Sequence, residues 1–73
     1  MTKMQIEMMT VEQTVEQLRS LGMKISPELL RDGIEQRVFS FGSHIKSRHG
    51  GSEYKIYRRL FDEWVSARAV DRR

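Results

Sequence analysis

The fold of this 73-residue chain is decided by residues 38–57, which read Val-Phe-Ser-Phe-Gly-Ser-His-Ile-Lys-Ser-Arg-His-Gly-Gly-Ser-Glu-Tyr-Lys-Ile-Tyr. Two short segments in which apolar and polar residues alternate lie on either side of Gly50 and Gly51. Alternation is typical of half-buried β-strands, and a Gly-Gly pair tolerates the positive φ angles of tight hairpin turns. We therefore predict a β-hairpin over residues 43–57. Its alternation leaves these side chains facing water: His44, Lys46, Arg48, His49 and Lys55.

Two helices are predicted before the hairpin. Residues 10–13, Thr-Val-Glu-Gln, have the spacing of a capping box, and Gly22 is placed to end the helix that follows, so the first helix spans about residues 11–21. Ser26 and Pro27 form a second helix start, a capping hydroxyl followed by proline at the first helical position. Gly33 costs up to about 1 kcal/mol relative to Ala inside a helix. We nevertheless predict that the second helix continues through it, over residues 27–36.

A third helix is predicted over residues 58–68, because apolar residues recur there as one helical stripe. The domain then comprises residues 10–69, with a flexible tail at 1–9 and a frayed end at 70–73. The fold class is α+β. The expected core consists of Phe39, Phe41, Tyr54, Leu60, Phe61 and Trp64, together with Val15, Leu18, Leu29 and Ile34.

The positive charge is concentrated in the second half of the chain. The net charge is +3, but residues 1–43 carry −1 and residues 44–73 carry +4. Positive charge clustered on one element is typical of a protein that binds a polyanion, although a solvated basic surface gives the same pattern. Charge alone therefore leaves nucleic acid and an ordinary basic surface equally open.

The composition argues against catalysis and against a bound cofactor. The chain has no Cys. Its two histidines are His44 and His49, and Glu53 is the only carboxylate spaced to join them as a metal ligand, so we predict no metal site. No Gly-x-Ser-x-Gly elbow, triad partner or phosphate-binding P-loop is present. We predict no catalytic residues and no cofactor. The lack of Cys, of a signal peptide and of an apolar run of about 18 residues favours a cytoplasmic protein that does not enter a membrane.

The order of these features resembles the MerR-like winged helix-turn-helix domains of excisionases and other mobile-element proteins. The resemblance covers about residues 9–66. Residues 10–13 are similar to the usual start of that family, residues 33–42 to its passage from helix to strand, and residues 54–64 to its closing strand and helix. No single motif carries the resemblance, which rests on the order of the features.

The resemblance implies that the second helix enters the major groove of DNA and that the hairpin forms a wing over the phosphates or the minor groove. Three acidic residues on the second helix depart from this pattern, so reading of bases would rest on Arg31, Gln36 or Arg37. Phosphate contacts would come from Lys46, Arg48, His49, Lys55 and Arg58. If about five phosphates are neutralised, log K falls against log salt with a slope of about −4.5.

The expected function is sequence-specific binding of double-stranded DNA by a non-catalytic, excisionase-like protein that assists the integrase of a phage or mobile element. We expect a monomer in solution and several copies on DNA. A small transcriptional regulator on the same scaffold is the nearest alternative, although MerR-type regulators usually add a dimerising helix. A packaging or replication adaptor, or a protein-interaction adaptor that binds no DNA, stays open.

Overall fold

A computed structural model describes residues 4–70 of the chain. Its elements, in chain order, are β1 (Met8–Met9), α1 (Val11–Ser20), α2 (Pro27–Glu35), β2 (Gly42–Lys46), β3 (Ser52–Tyr57) and α3 (Arg58–Arg68). The strands form one antiparallel sheet in the order β1-β3-β2. The prediction of an α+β domain is confirmed, and the three helices and the hairpin begin and end within one residue of their predicted limits.

Local hydrogen bonds set the limits of α1. The Thr10 hydroxyl accepts from the Gln13 N–H at 3.0 Å, and the Gln13 side chain accepts from the Thr10 N–H at 3.0 Å, which completes the predicted capping box. At the other end Gly22 has a φ of 95°, and the Met23 N–H donates to the Leu18 carbonyl at 2.9 Å. This is a Schellman motif, in which a left-handed residue closes the last turn.

The core is built around Phe41, which is fully buried. Its ring contacts Phe61 and Trp64 edge-on, at centroid distances of 5.2 and 5.3 Å, and stacks on Phe39 at 5.3 Å. The remaining buried apolar residues are Met9, Val11, Val15, Leu18, Ile25, Leu30, Ile34 and Ile56. Among residues 4–70, none of the helices has the length and apolarity needed to cross a bilayer.

Two leucines that we predicted in the core lie on the surface instead. Leu29 is 52% exposed and Leu60 is 43% exposed, whereas their neighbours Leu30 and Phe61 are buried. Successive residues of a helix point about 100° apart, so a pair of adjacent apolar residues cannot both face the core directly. The sequence identified the correct turn of each helix, and the prediction that Phe61 lies in the core is confirmed.

The assignment of residues 1–9 to a flexible tail is wrong for Met8 and Met9. They pair with Tyr57 and Ile56 as the edge strand β1, and Met9 is only 5% exposed. The Arg58 N–H also donates to the Glu7 carbonyl at 3.0 Å. A two-residue strand is too short to show alternation, so no sequence pattern marks it. Residues 1–3 of the predicted tail and residues 71–73 of the predicted frayed end lie outside the described residues.

Gly33 lies inside α2, which passes through it as predicted. A Cβ atom at this position would lie 2.5 Å from Cδ2 of Phe39, so the aromatic ring occupies the space of a side chain. The glycine therefore lets the chain fold back after α2 and place Phe39 directly against the helix. This contact positions the segment that leads into β2.

Candidate nucleic-acid interface

The candidate interface consists of the exposed face of α2, its C-terminal end and the β2–β3 hairpin. The Ser26 hydroxyl accepts from the Leu29 N–H at 3.1 Å and caps the start of α2. Burial of Leu30 and Ile34 fixes the rotation of the helix. That rotation exposes the acidic side chains Asp32 and Glu35. The exposed face of α2 is therefore acidic, as the sequence indicated.

Arg31, which we predicted to contact bases, already has partners within the protein. Its guanidinium lies 3.9 Å from a carboxylate oxygen of Glu12 on α1 and 6.0 Å from the centre of the Tyr54 ring. Its side chain is partly exposed, so the ion pair is weak. Arg31 thus lies between α2, α1 and β3, and a base contact would require it to leave both partners.

Tyr54 connects the hairpin to α2. Its hydroxyl donates to the Glu35 carboxylate at 2.7 Å across 19 positions of sequence. This hydrogen bond, followed by desolvation and by the negative charge of Glu35, raises the pKa of Tyr54 above its usual value of 10.0. The sequence placed Tyr54 in the core but did not reveal this bond, because nothing in the local pattern pairs the two residues.

The C-terminal end of α2 holds Arg37 in an unusual backbone conformation. Arg37 has a φ of 61°, and it is the only residue other than glycine with a positive φ among residues 4–70. The Val38 N–H donates to the Gly33 carbonyl at 2.8 Å and the Arg37 N–H to the Ile34 carbonyl at 3.1 Å, so α2 ends in a second Schellman motif. Glycine normally occupies this position, whereas here an exposed arginine does.

Arg37 also lies beside the hairpin. With Ser40, Ser43 and His44 it lines a cleft between the end of α2 and β2. Gln36, the other predicted base-contacting residue at this end, is exposed, and its backbone N–H donates to the Asp32 carbonyl. The structure therefore brings the end of α2 and the start of the hairpin together.

The two faces of the hairpin differ from the predicted arrangement. His44 pairs with Tyr54, and Gly42 with the buried Ile56, so these residues share the face toward α2 and the core. His44 is half-buried, and its ring centre lies 5.0 Å from that of Tyr54. Ile45 is 49% exposed on the other face. The prediction that His44 faces water is wrong, because the register with β3 places the even-numbered residues of β2 inward.

This register separates the two lysines of the hairpin. Lys46 pairs with Ser52 and shares the face of His44, whereas Lys55 pairs with Ser43 and shares the face of Ile45. Lys55 lies 3.5 Å from the Glu53 carboxylate, and Lys46 takes part in no ion pair among residues 4–70. Lys46 and Lys55 therefore cannot contact the same surface of a ligand.

Arg48 and His49 lie at the tip of the hairpin. The Ser47 N–H donates to the Gly51 carbonyl at 2.7 Å, and Gly50 has a φ of 87°, which closes the turn. The His49 N–H donates to the Ser47 hydroxyl at 3.2 Å. Both side chains at the tip are exposed, as predicted.

Arg58 lies at the first position of α3, where the helix dipole disfavours a cation. It forms an ion pair with Asp62 at 3.7 Å, and Arg59 forms one with Glu63 at 3.5 Å, both one helical turn apart. The Asp62 carboxylate therefore partly neutralises Arg58, which we predicted to contact a phosphate.

The charges of the candidate interface therefore divide into two groups. Arg31, Lys55 and Arg58 each lie within 4 Å of a carboxylate. Arg37, Lys46 and Arg48 have no such partner within residues 4–70. In this interface, the positive charge without a carboxylate partner thus lies on Arg37 at the end of α2, on Lys46 of β2 and on Arg48 in the hairpin turn.

The described part of the chain contains no group of three or more His, Asp or Glu residues that could hold a metal ion. No family model, no curated protein and no solved structure matches this chain.

Proposed function

We propose that this chain is a non-catalytic, sequence-specific protein that binds double-stranded DNA as a winged helix-turn-helix domain. In this proposal α1 and α2 form the helix-turn-helix, α2 enters the major groove, and the β2–β3 hairpin is the wing. The observation that carries the proposal is the placement of three cations without a carboxylate partner among residues 4–70, Arg37, Lys46 and Arg48, along one end of α2 and the adjoining hairpin.

The charge arrangement also sets how strongly binding should depend on salt. Each neutralised phosphate contributes about −0.9 to the slope of log K against log salt. With Arg37, Lys46 and Arg48 as the phosphate contacts, we expect a slope of about −2.7. The sequence alone suggested about five contacts and a slope of about −4.5. The smaller value follows because Lys55 and Arg58, which have carboxylate partners within the protein, and His49, which is not counted as a cation, are left out, while Arg37 is added.

The biological role that we propose is that of an excisionase, which assists an integrase of a phage or mobile element. This role rests on the family resemblance of residues 9–66, and a transcriptional regulator is the alternative on the same scaffold. Recombination assays with an integrase encoded beside the gene distinguish the two. Stimulation of excision supports the first role, whereas DNA binding without any effect on recombination supports the second.

The test of DNA binding uses two lysines as a matched pair. Lys46→Ala and Lys55→Ala each remove one positive charge from the hairpin, but from opposite faces. Fluorescence anisotropy would be measured on duplex DNA that flanks the protein's own gene, with a scrambled duplex as control, at several salt concentrations. We expect Lys46→Ala to weaken binding about eightfold at 0.1 M salt and to reduce the slope by about 0.9, because one phosphate contact is lost. Lys55→Ala should leave both quantities nearly unchanged.

Equal effects of the two substitutions would contradict the assignment of one hairpin face to DNA. Absence of binding by the unchanged protein at low salt would refute the DNA-binding proposal as a whole. In that case the acidic surface of α2, which exposes Asp32 and Glu35, favours an adaptor that binds a basic protein partner.

A further inference from the structure

A second surface of the molecule has the form of a ligand groove. It lies between the C-terminal end of α1 and the C-terminal half of α3 and has a volume of about 260 Å³. Of the described residues, it is lined by the apolar Leu18, Leu21, Met23, Trp64, Val65, Ala69 and Val70 and by the charged Arg68. An apolar cavity of about 150 Å³ can hold benzene, so this groove has room for one or two apolar side chains.

The core of the domain does not account for all of these residues. Leu21 is 58% exposed and Val70 is 81% exposed, although the adjoining Met23, Trp64 and Val65 pack against the core. The groove shares no residue with the candidate DNA interface. Its exposed apolar side chains therefore serve neither the fold nor the proposed contact with DNA.

The charge around the groove indicates what kind of partner it fits. The guanidinium of Arg68 lies 4.3 Å from the centre of the Trp64 ring at one edge. Lys24, which follows Met23, is exposed and forms no ion pair among residues 4–70. Among residues 4–70, no acidic residue lines the groove. A partner that places apolar side chains in the groove meets positive charge beside it, so acidic flanking residues would complement the site.

Trp64 supplies an independent sign of an unfilled contact. Its indole Nε1 is buried and has no hydrogen-bond partner within the described residues. A buried indole N–H normally finds an acceptor, and leaving it unpaired is costly.

We propose that this groove binds an amphipathic helix of a partner protein, with apolar anchors one helical turn apart and acidic residues beside them. A groove between two helices receives the apolar face of a third in this way. The site is separate from the DNA interface, so DNA and the partner can bind at the same time.

Trp64 is the only tryptophan of the chain and lines the groove, so its fluorescence reports occupancy directly. The probe is a synthetic 16-residue helical peptide with two leucines one turn apart and glutamates on both sides. One control peptide carries lysines in place of the glutamates, and a second carries glutamines in place of the leucines. We expect a saturable change in Trp64 emission with the acidic peptide and none with either control.

Two variants of the protein test the location of binding. Leu21→Gln removes an exposed leucine from the groove, and Leu29→Gln removes a similarly exposed one from α2. We expect Leu21→Gln to weaken peptide binding tenfold or more, the effect of one leucine that the partner would otherwise bury, and Leu29→Gln to leave it unchanged. DNA binding by Leu21→Gln should equal that of the unchanged protein, which also shows that the variant folds.

Equal response to the acidic and basic peptides, or no saturable response to the acidic peptide, would overturn the proposal. A change in Trp64 emission that depends on protein concentration alone would also overturn it, because the groove would then be covered by a second copy of the chain. The peptide titrations are made without DNA, so they stand or fall independently of the proposed DNA binding.

Discussion

Replacement of Arg37 by glycine should make the protein more stable and a weaker DNA binder. Arg37 occupies the left-handed region with a φ of 61° at the end of α2. That conformation costs a residue with a Cβ atom about 1–2 kcal/mol, whereas glycine adopts it without strain. Glycine in turn loses about 0.5–1 kcal/mol more conformational entropy on folding. The difference leaves Arg37→Gly more stable by up to about 1.5 kcal/mol, with a central value of about 0.8 kcal/mol.

In a domain of this size, 1 kcal/mol raises the melting temperature by about 4–8 °C. Thermal unfolding followed by circular dichroism would measure the change. The same variant should lose one phosphate contact, so the salt slope of DNA binding should become less negative by about 0.9. Arg37→Lys is the matched control, because it keeps both the charge and the left-handed strain and should change neither quantity appreciably.

A melting temperature that is unchanged or lower in Arg37→Gly would show that the arginine is not strained. A DNA affinity and slope equal to those of the unchanged protein would remove Arg37 from the interface. If both expectations hold, the chain retains a destabilising residue where a ligand contact requires its side chain, a pattern common at binding sites.

The remaining predictions concern two contacts between α2 and the segments that follow it. Gly33→Ala should lower the free energy of unfolding by up to about 2 kcal/mol in urea unfolding. The new Cβ would overlap the ring of Phe39 at a cost of about 1–3 kcal/mol, and the gain in helix propensity offsets about 1 kcal/mol of this. Higher stability would show that the ring moves aside. Tyr54→Phe should remove a pH-dependent part of the stability. The pKa of Tyr54 is raised in the folded state, so its contribution is fully present below pH 10 and is lost as the pH rises through the raised value. Unfolding curves of the two proteins should therefore converge above pH 10, and curves that stay parallel there would contradict the role of the Glu35 hydrogen bond.

The two proposed binding surfaces use different chemistry. The DNA interface relies on exposed cations without carboxylate partners, whereas the groove relies on exposed apolar side chains beside Trp64. Salt should therefore weaken DNA binding strongly and peptide binding only slightly. This contrast gives a direct way to separate the two activities in one preparation.

The sequence by itself determined where the helices and the hairpin begin and end. Several of these limits depend on residues within a few positions of one another: the Thr10 capping box, Ser26 before Pro27, and the glycines at 22 and 50. Capping hydrogen bonds join residues only a few positions apart and form in the same way wherever the motif occurs. The order of residues around the motif is therefore sufficient to predict them. The exposure of Arg48 and His49 at the hairpin tip followed from the same local argument.

Only the tertiary structure decided which side of each element is buried. The pairing of β2 with β3 turned His44 inward and Ile45 outward and placed Lys46 and Lys55 on opposite faces. A shift of β2 by one residue against β3 would reverse the faces of His44, Ile45 and Lys46 and would place Lys46 on the face of Lys55. The observed register depends on the packing of Ile56 beneath the sheet rather than on the hairpin's own alternation. Three further contacts came from the tertiary structure in the same way. Met9 pairs with Ile56 in the sheet, the Phe39 ring packs directly against Gly33, and Arg31 forms an ion pair with Glu12. Local pattern cannot specify these contacts, because each depends on a partner that only the folded chain brings near.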